Sequence, residues 1–236
     1  MKIEVLYPSL VNLYGEAVEV KFLKQCLPDS GWIDTEVNDT PAFADGDVDM
    51  IYMGPMSEKS QEIVASRLMP YKDRLRELID NGTVFLIIGN ALEIFGEYIE
   101  NEDGSKIECL GIFPTHAKRK MMSRYNSLYL GSFGDIKIVG FKAQFSHSYG
   151  NNDQFGLFDT LKGDGICPGN RFEGIHKNNF FATYLLGPLL IMNPDFAKYI
   201  LALLGIKDAV LPTEKSIYEA YNKRLSEFED PNIKLT

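Results

Sequence analysis

The sequence predicts an α/β protein built on a doubly wound sheet with a small antiparallel extension. Three observations carry this. Strand-like and helix-like patterns alternate through the first 88 residues, the βαβαβ order that a parallel sheet requires. The unbroken apolar run Thr83 to Ile88 (TVFLII) suits a central strand covered on both faces. Residues 97 to 180 then change to short alternating strands among many glycines.

Taken in order, Ile3 to Tyr7 is an apolar strand that ends at Pro8. Val18, Phe22, Leu23, Cys26 and Leu27 recur at helical spacing, and Trp32 to Val37 alternates as a half-exposed strand does. Val48 to Met53 opens a second unit closed by Gly54. The helix after it, Glu58 to Asp80, carries Ile63, Val64, Leu68, Leu75, Leu78 and Ile79 on one stripe; Pro70 splits it or opens its second half. Asn81 and Gly82 stop the helix before the central strand. Farther on, Ile136 to Phe141 reads as a strand, and Asp103-Gly104 and Gly163 to Gly165 read as hairpin turns. Asn193 is positioned as the cap, Pro194 as the first residue and Gly205 as the exit of a further helix. A last helix spans about Thr213 to Phe228, with Ile217, Tyr221, Leu225 and Phe228 as its packing stripe. The expected division is one domain over 1–205 and a helical extension over 206–236 packed on it.

The 236 residues are 45% hydrophobic and carry a net charge of -9, which argues for a folded core and against binding to polynucleotides or anionic lipid. Small molecules and proteins are the expected partners. Cys26, Cys109 and Cys167 are odd in number and scattered, which excludes a disulfide framework and a metal-type spacing; neither metal nor cofactor is expected. MKIEVLYPSL lacks a signal-peptide pattern and no window reaches 18 apolar residues, so membrane insertion is not expected and the expected compartment is the cytoplasm.

Five ordered motifs carry a resemblance: YPSLVNLYGE at 7–16, LIIGNALEIFG at 86–96, GNN at 150–152, FEG at 172–174 and ATYLLGPLLIMNP at 182–194. They resemble class I glutamine amidotransferases of the cobyric acid synthase type, and most closely the amidotransferase subunit (GatD) family of lipid II isoglutaminyl synthase. The resemblance covers about residues 1–205. It implies a flavodoxin-like sheet, glutamine hydrolysis through a cysteine thioester, and delivery of ammonia to a Mur-ligase-like synthetase subunit.

The chemistry implied by that family has two essential groups, and the resemblance places neither in this chain. A thiolate must stand on a sharp strand-to-helix turn. The family pattern there resembles LAVCGGYQLLG, which sets Gly89 at the cysteine, Asn90 and Ala91 at the two glycines, and Glu93 at the glutamine. A base must take the thiol proton and return it to ammonia. The family pattern YLHGP becomes Tyr184 to Pro188, with Leu186 at the histidine. Two further patterns, resembling GGGQD and GFENHGG, become Met53 to Ser57 and Gly140 to Ser146. The expected altered pocket therefore comprises Gly54, Gly89, Asn90, Ala91, Glu93, Gln144, Tyr184 and Leu186, with no catalytic residue.

As replacements the remaining cysteines are poorly placed: Cys26 lies in an amphipathic helix, Cys109 reads as a small buried hydrophobe, and Cys167 reads as part of a surface hairpin. His116, His147 and His176 read as surface or loop residues. The backbone N–H groups of Asn90 and Ala91, at the start of the next helix, are expected to be able to hold a carboxylate or phosphate. Three functions stay open: a non-catalytic subunit bound to a Mur-ligase-like amidating synthetase, an active amidotransferase with a displaced nucleophile, and a binding protein without a synthetase partner.

Overall fold

The computed structural model describes residues 1–233. Its first half alternates strands and helices: β1 Lys2–Leu6, α1 Ala17–Cys26, β2 Gly31–Thr35, the short α2 Ala42–Asp45, β3 Met50–Met53, α3 Glu58–Leu68, α4 Lys72–Asp80 and β4 Val84–Ile88. Pro70 lies in a single 3-10 turn, Met69–Tyr71, that separates α3 from α4. The Ser57 side chain caps α3 by accepting from Ser60 N at 3.1 Å, and Gly82 leaves α4 with φ +84. Short strands follow: β5 Tyr98–Glu100, β6 Lys106–Glu108, β7 Thr115–Arg119, β8 Tyr125–Phe133, β9 Ile136–Gln144, β10 Ser146–Gly150, β11 Gly156–Lys162, β12 Phe172–Lys177 and β13 Phe180–Thr183. The chain then forms α5 Leu189–Met192, α6 Pro194–Leu203 and α7 Glu214–Glu229.

One nine-stranded sheet runs β2-β1-β3-β4-β13-β12-β11-β8-β9. Its first five strands are parallel, and β12, β11, β8 and β9 continue it antiparallel. Every residue of β4 is buried, which accounts for its unbroken apolar sequence. Helices cover both faces. Phe22 and Leu23 of α1 join Phe196 and Ile200 of α6 on one side, whereas Val64, Leu68, Leu75 and Ile79 of α3 and α4 pack on the other.

The expected small extension is larger than its sequence implied and is split in two. Four of its strands lengthen the main sheet; the other four form a second sheet, β10-β7-β5-β6, in which β5 and β7 are parallel. Alternation along a strand reports which side chains share a face, but it carries no record of the strand's neighbours, which here are distant in sequence. Asp103-Gly104 does close the β5–β6 hairpin, with Gly104 at φ +82.

Val18 and Ile63, assigned to packing stripes, are exposed at the edges of α1 and α3. Asn193 stands at the start of α6, yet its side chain accepts from Val139 N and donates to Val139 O and Leu189 O, tying the helix to β9 instead of capping it. Ile217, Tyr221 and Phe228 of α7 are buried, and Tyr221 donates to Lys137 O at 2.9 Å. Among the described residues no helix is long and apolar enough to cross a membrane.

Candidate functional site

Three adjacent parallel strands, β3, β4 and β13, deliver their carboxyl ends to one place, the position where sheets of this kind present ligands and catalytic groups. Gly54 to Ser57 follows β3, Gly89 follows β4, and Tyr184 to Gly187 follows β13. The turn from β9 to β10 brings Gln144 to Ser146 across the opening, and the loop after β1 adds Leu13 and Tyr14.

Gly89 takes φ +67 at this junction, a left-handed conformation natural to glycine. A β-carbon built on it would lie 2.6 Å from Cβ of Pro55 and 3.3 Å from Cδ2 of Leu186. Carbon atoms pack at about 3.5–4.0 Å, so the space beside Gly89 is already occupied. The cleft leaves about 20 Å³ free, room for about one water.

Of the expected pocket residues, Gly89, Asn90, Gln144, Tyr184 and Leu186 line the cleft. Gly54, Ala91 and Glu93 are buried behind its wall. Asn90 fastens the two sides together: Met56 N donates to its Oδ1 at 3.0 Å and its Nδ2 donates to Met56 O at 2.8 Å. Gly89–Phe95 is a seven-residue 3-10 helix rather than the expected α-helix. Its Ala91 is fully buried, whereas Asn90 is half-buried and lines the cleft.

Beneath the cleft lies a buried polar network centred on Glu93, which is 2% exposed. Its carboxylate accepts from Gln61 Nε2 at 2.8 Å, from Tyr184 OH at 2.8 Å and from Ser146 Oγ. Arg119 donates to Gln61 Oε1 at 2.8 Å and supplies the nearby positive charge. Burial raises the Glu93 pKa, and the three hydrogen bonds and Arg119 oppose that rise. The Tyr184 phenol is pushed well above its usual value by burial and by the Glu93 charge, so it remains a donor. The network fixes Tyr184, which hydrogen-bonds to Ser148 Oγ at 2.8 Å as well, and with it the floor of the cleft.

None of the three thiols is prepared for nucleophilic attack. Burial raises Cys109 to about 12 and Cys26 to about 11, in each case with a neighbouring glutamate, Glu93 or Glu19, adding to the rise. Cys167, expected on a surface hairpin, is instead buried, since Ile166 N donates to Phe172 O and draws the loop inward, and that burial raises its thiol. Among the described residues no cysteine hydrogen-bonds to a histidine. Cys109 Sγ points to Ile107 O, His147 Nδ1 meets Gln144 Nε2 at 3.2 Å, and His176 Nε2 meets Asn178 O at 2.8 Å. The histidines sit half-buried in β7, β10 and β12, not in loops. His116 stacks on Tyr98 with centroids 4.8 Å apart.

Tyr14 was not singled out by the sequence. Its hydroxyl accepts from Arg124 Nη2 at 2.9 Å and donates to Ala143 O at 3.4 Å, bridging the first loop to β9 at the mouth of the cleft. The only signal available was its place in the YPSLVNLYGE motif.

Comparison with known proteins agrees with this architecture. The CobB/CobQ-like glutamine amidotransferase domain matches residues 2–193. Subunit GatD of the glutamine-hydrolyzing lipid II isoglutaminyl synthase of Streptococcus pneumoniae (strain ATCC BAA-255 / R6) is 27% identical over 233 residues, covering 92% of this chain and 86% of that protein. The same subunit from Staphylococcus aureus (strain N315) is 29% identical over 166 residues, covering 70% and 68%. A crystal structure of a glutamine amidotransferase superposes with a TM-score of 0.54 at 10% identity, covering 86% of this chain and 98% of that one, a likeness of fold.

Proposed function

Given that the chain belongs to the CobB/CobQ-like glutamine amidotransferase domain family, we propose that it is a catalytically degenerate member, a non-catalytic or regulatory subunit that binds an amidating synthetase of the Mur-ligase type. The observation that carries this reading is the closed space at Gly89. A side chain there would collide with Pro55, and Leu186 fills the other side with an isobutyl group that can neither take up nor release a proton.

Supporting it, a nucleophile and its base act as one unit, so loss of both removes the route through a covalent intermediate. The intact elbow without its nucleophile, the cross-braced Asn90 and the hydrogen-bonded Glu93 network favour a rigid body retained for docking. The two GatD relatives are named as subunits of a synthase, which supports a synthetase partner for this chain. The strand order β2-β1-β3-β4-β13 supports the flavodoxin-like description of the sheet. We take residues 1–205 as the amidotransferase-like domain, 206–236 as the helical extension, of which 234–236 lie outside the described residues, and the cytoplasm as the compartment.

The test is purification with the natural partner, followed by assay with glutamine and with free ammonia. Amidation with ammonia but not with glutamine is expected. Glutamine-dependent amidation abolished by replacing Cys109 or Cys167 would replace this reading with that of an active enzyme using a displaced nucleophile.

A further inference from the structure

A second cleft, separate from Gly89, lies at the carboxyl ends of β1 and β2. It has a volume of about 280 Å³ and is lined by Tyr7, Asn38, Thr40, Ser66 and Arg67, with Asp39 at its side. That volume approaches the roughly 300 Å³ at which small-molecule pockets begin, and the carboxyl ends of parallel strands are where such sheets bind ligands.

Tyr7 is the unusual residue there. It opens the YPSLVNLYGE motif, which the amidotransferase reading leaves without a role at this position. Its φ of +55 is a left-handed conformation that a bulky side chain rarely holds, the kind of local strain that collects at binding sites. The residue is only 1% exposed yet lines the cleft, its phenol is close enough to feel the Arg67 charge, and among the described residues its hydroxyl has no hydrogen-bond partner. Burial above all pushes the phenol up to about 12, so at neutral pH it keeps its proton to donate.

Arg67 stands opposite, in the last turn of α3. Its Nη2 donates to Asn38 Oδ1 at 3.1 Å, and among the described residues no carboxylate pairs with it. An unpaired guanidinium is conspicuous in a chain of net charge -9. Asp39, whose Oδ2 accepts from Glu36 N at 2.9 Å, forms no ion pair with it among the described residues. With the Asn38 oxygen engaged, the guanidinium, the phenol, the Thr40 and Ser66 hydroxyls and the Asn38 amide nitrogen can donate to a ligand, and the Asp39 carboxylate also lines the cleft. Donors grouped around an arginine match the oxygens of a phosphate or carboxylate.

We propose that this cleft binds a small molecule through a phosphate or carboxylate group, held by the Arg67 guanidinium and the Tyr7 hydroxyl. The site is independent of the amidotransferase reading and stands or falls without it.

The test titrates the full chain with inorganic phosphate and, separately, with glutarate, following by NMR the Thr40 and Ser66 backbone N–H resonances beside the cleft, which every variant retains, against sodium chloride at matched ionic strength. A saturable shift with at least one probe and none with chloride is expected; the probe that binds identifies the anion. Arg67→Ala should weaken that binding at least about tenfold, and Tyr7→Phe several-fold, as loss of charged and neutral hydrogen bonds implies. Arg67 is exposed, so Arg67→Ala and Arg67→Gln leave the fold intact and decide the matter even if Tyr7→Phe unfolds. No saturable shift with either probe, or binding unchanged in both Arg67 variants, would overturn the proposal.

Discussion

Replacing Gly89 by alanine adds one carbon at the point where the closed-cleft argument is narrowest. Two costs are foreseen. Holding a non-glycine residue near φ +67 costs roughly 1–2 kcal/mol. Forcing a β-carbon to within 2.6 Å of Pro55 Cβ makes the backbone on one side yield, and overpacking of that kind typically costs about 1–3 kcal/mol. The sum is about 2–5 kcal/mol, which for a chain of this size corresponds to a loss of roughly 5–15 °C in Tm. Urea unfolding followed by circular dichroism measures it. Pro55→Gly removes the colliding carbon, so the Gly89→Ala/Pro55→Gly pair should recover the steric share and leave the conformational share, giving a favourable coupling of about 1 kcal/mol or more. Gly89→Cys should carry the same penalties, so restoring sulfur alone does not restore the site. A loss below about 0.5 kcal/mol for Gly89→Ala would refute the reasoning, because it would mean that the space is open and a nucleophile could stand there.

Other substitutions test the surrounding structure. Burial and the Glu16 charge raise the Glu19 carboxyl to about 8, against an unfolded value near 4.5. Between those values the folded chain holds a proton that the unfolded chain has released, so stability should fall as pH rises through that window, by up to about 1.4 kcal/mol per pH unit. Glu19→Gln should flatten the fall in a pH series of urea melts; an unchanged slope would show that Glu19 is ionised when folded. Glu93→Ala leaves the buried Gln61, Tyr184 and Ser146 donors without their acceptor, while Arg119 keeps its ion pair with Glu62, for a loss of about 3–5 kcal/mol, whereas Glu93→Gln should lose less. Equal losses for the two variants, read by chemical denaturation, would argue against a role as acceptor. Asn193→Ala leaves Val139 N without its partner at 2.8 Å and Val139 O and Leu189 O without theirs, and should cost about 2–4 kcal/mol. A loss under about 1 kcal/mol would show that water substitutes freely.

The parallel half of the fold was legible because its signals are local. The β4 run is apolar throughout, Pro70 breaks one helix into two, and Gly82 ends the second with φ +84. The antiparallel half was not, since the partners of β8 and β11 are chosen by contacts across the sheet. The five cleft-lining positions foreseen were those adjoining the strand ends of β4 and β13 or the β9–β10 turn. Tyr14, Leu13 and Phe145 were missed because loops bring them to the cleft. Glu16 and Glu19 resemble solvent-facing acids at the start of an amphipathic helix, yet Gly187 N and Leu190 N, 171 residues away, bury them by donating at 2.8 and 3.0 Å. Cys167 sits among glycines and a proline that mark a surface turn, and the hydrogen bonds of Ile166 to Phe172 and to Ser148, residues on other strands, turn it inward. Arg67 and Tyr7 belong to elements 60 positions apart, and no spacing rule links them.

An electrophilic glutamine analogue tests the central claim most directly. The chain, alone and with its partner, is incubated with a diazoketone analogue of glutamine and then analysed by intact-mass and peptide mass spectrometry. A chain without an activated nucleophile is expected to stay at its unmodified mass in both states. A stoichiometric adduct on Cys26, Cys109, Cys167 or any other side chain of this protein, blocked by excess glutamine, would contradict the account.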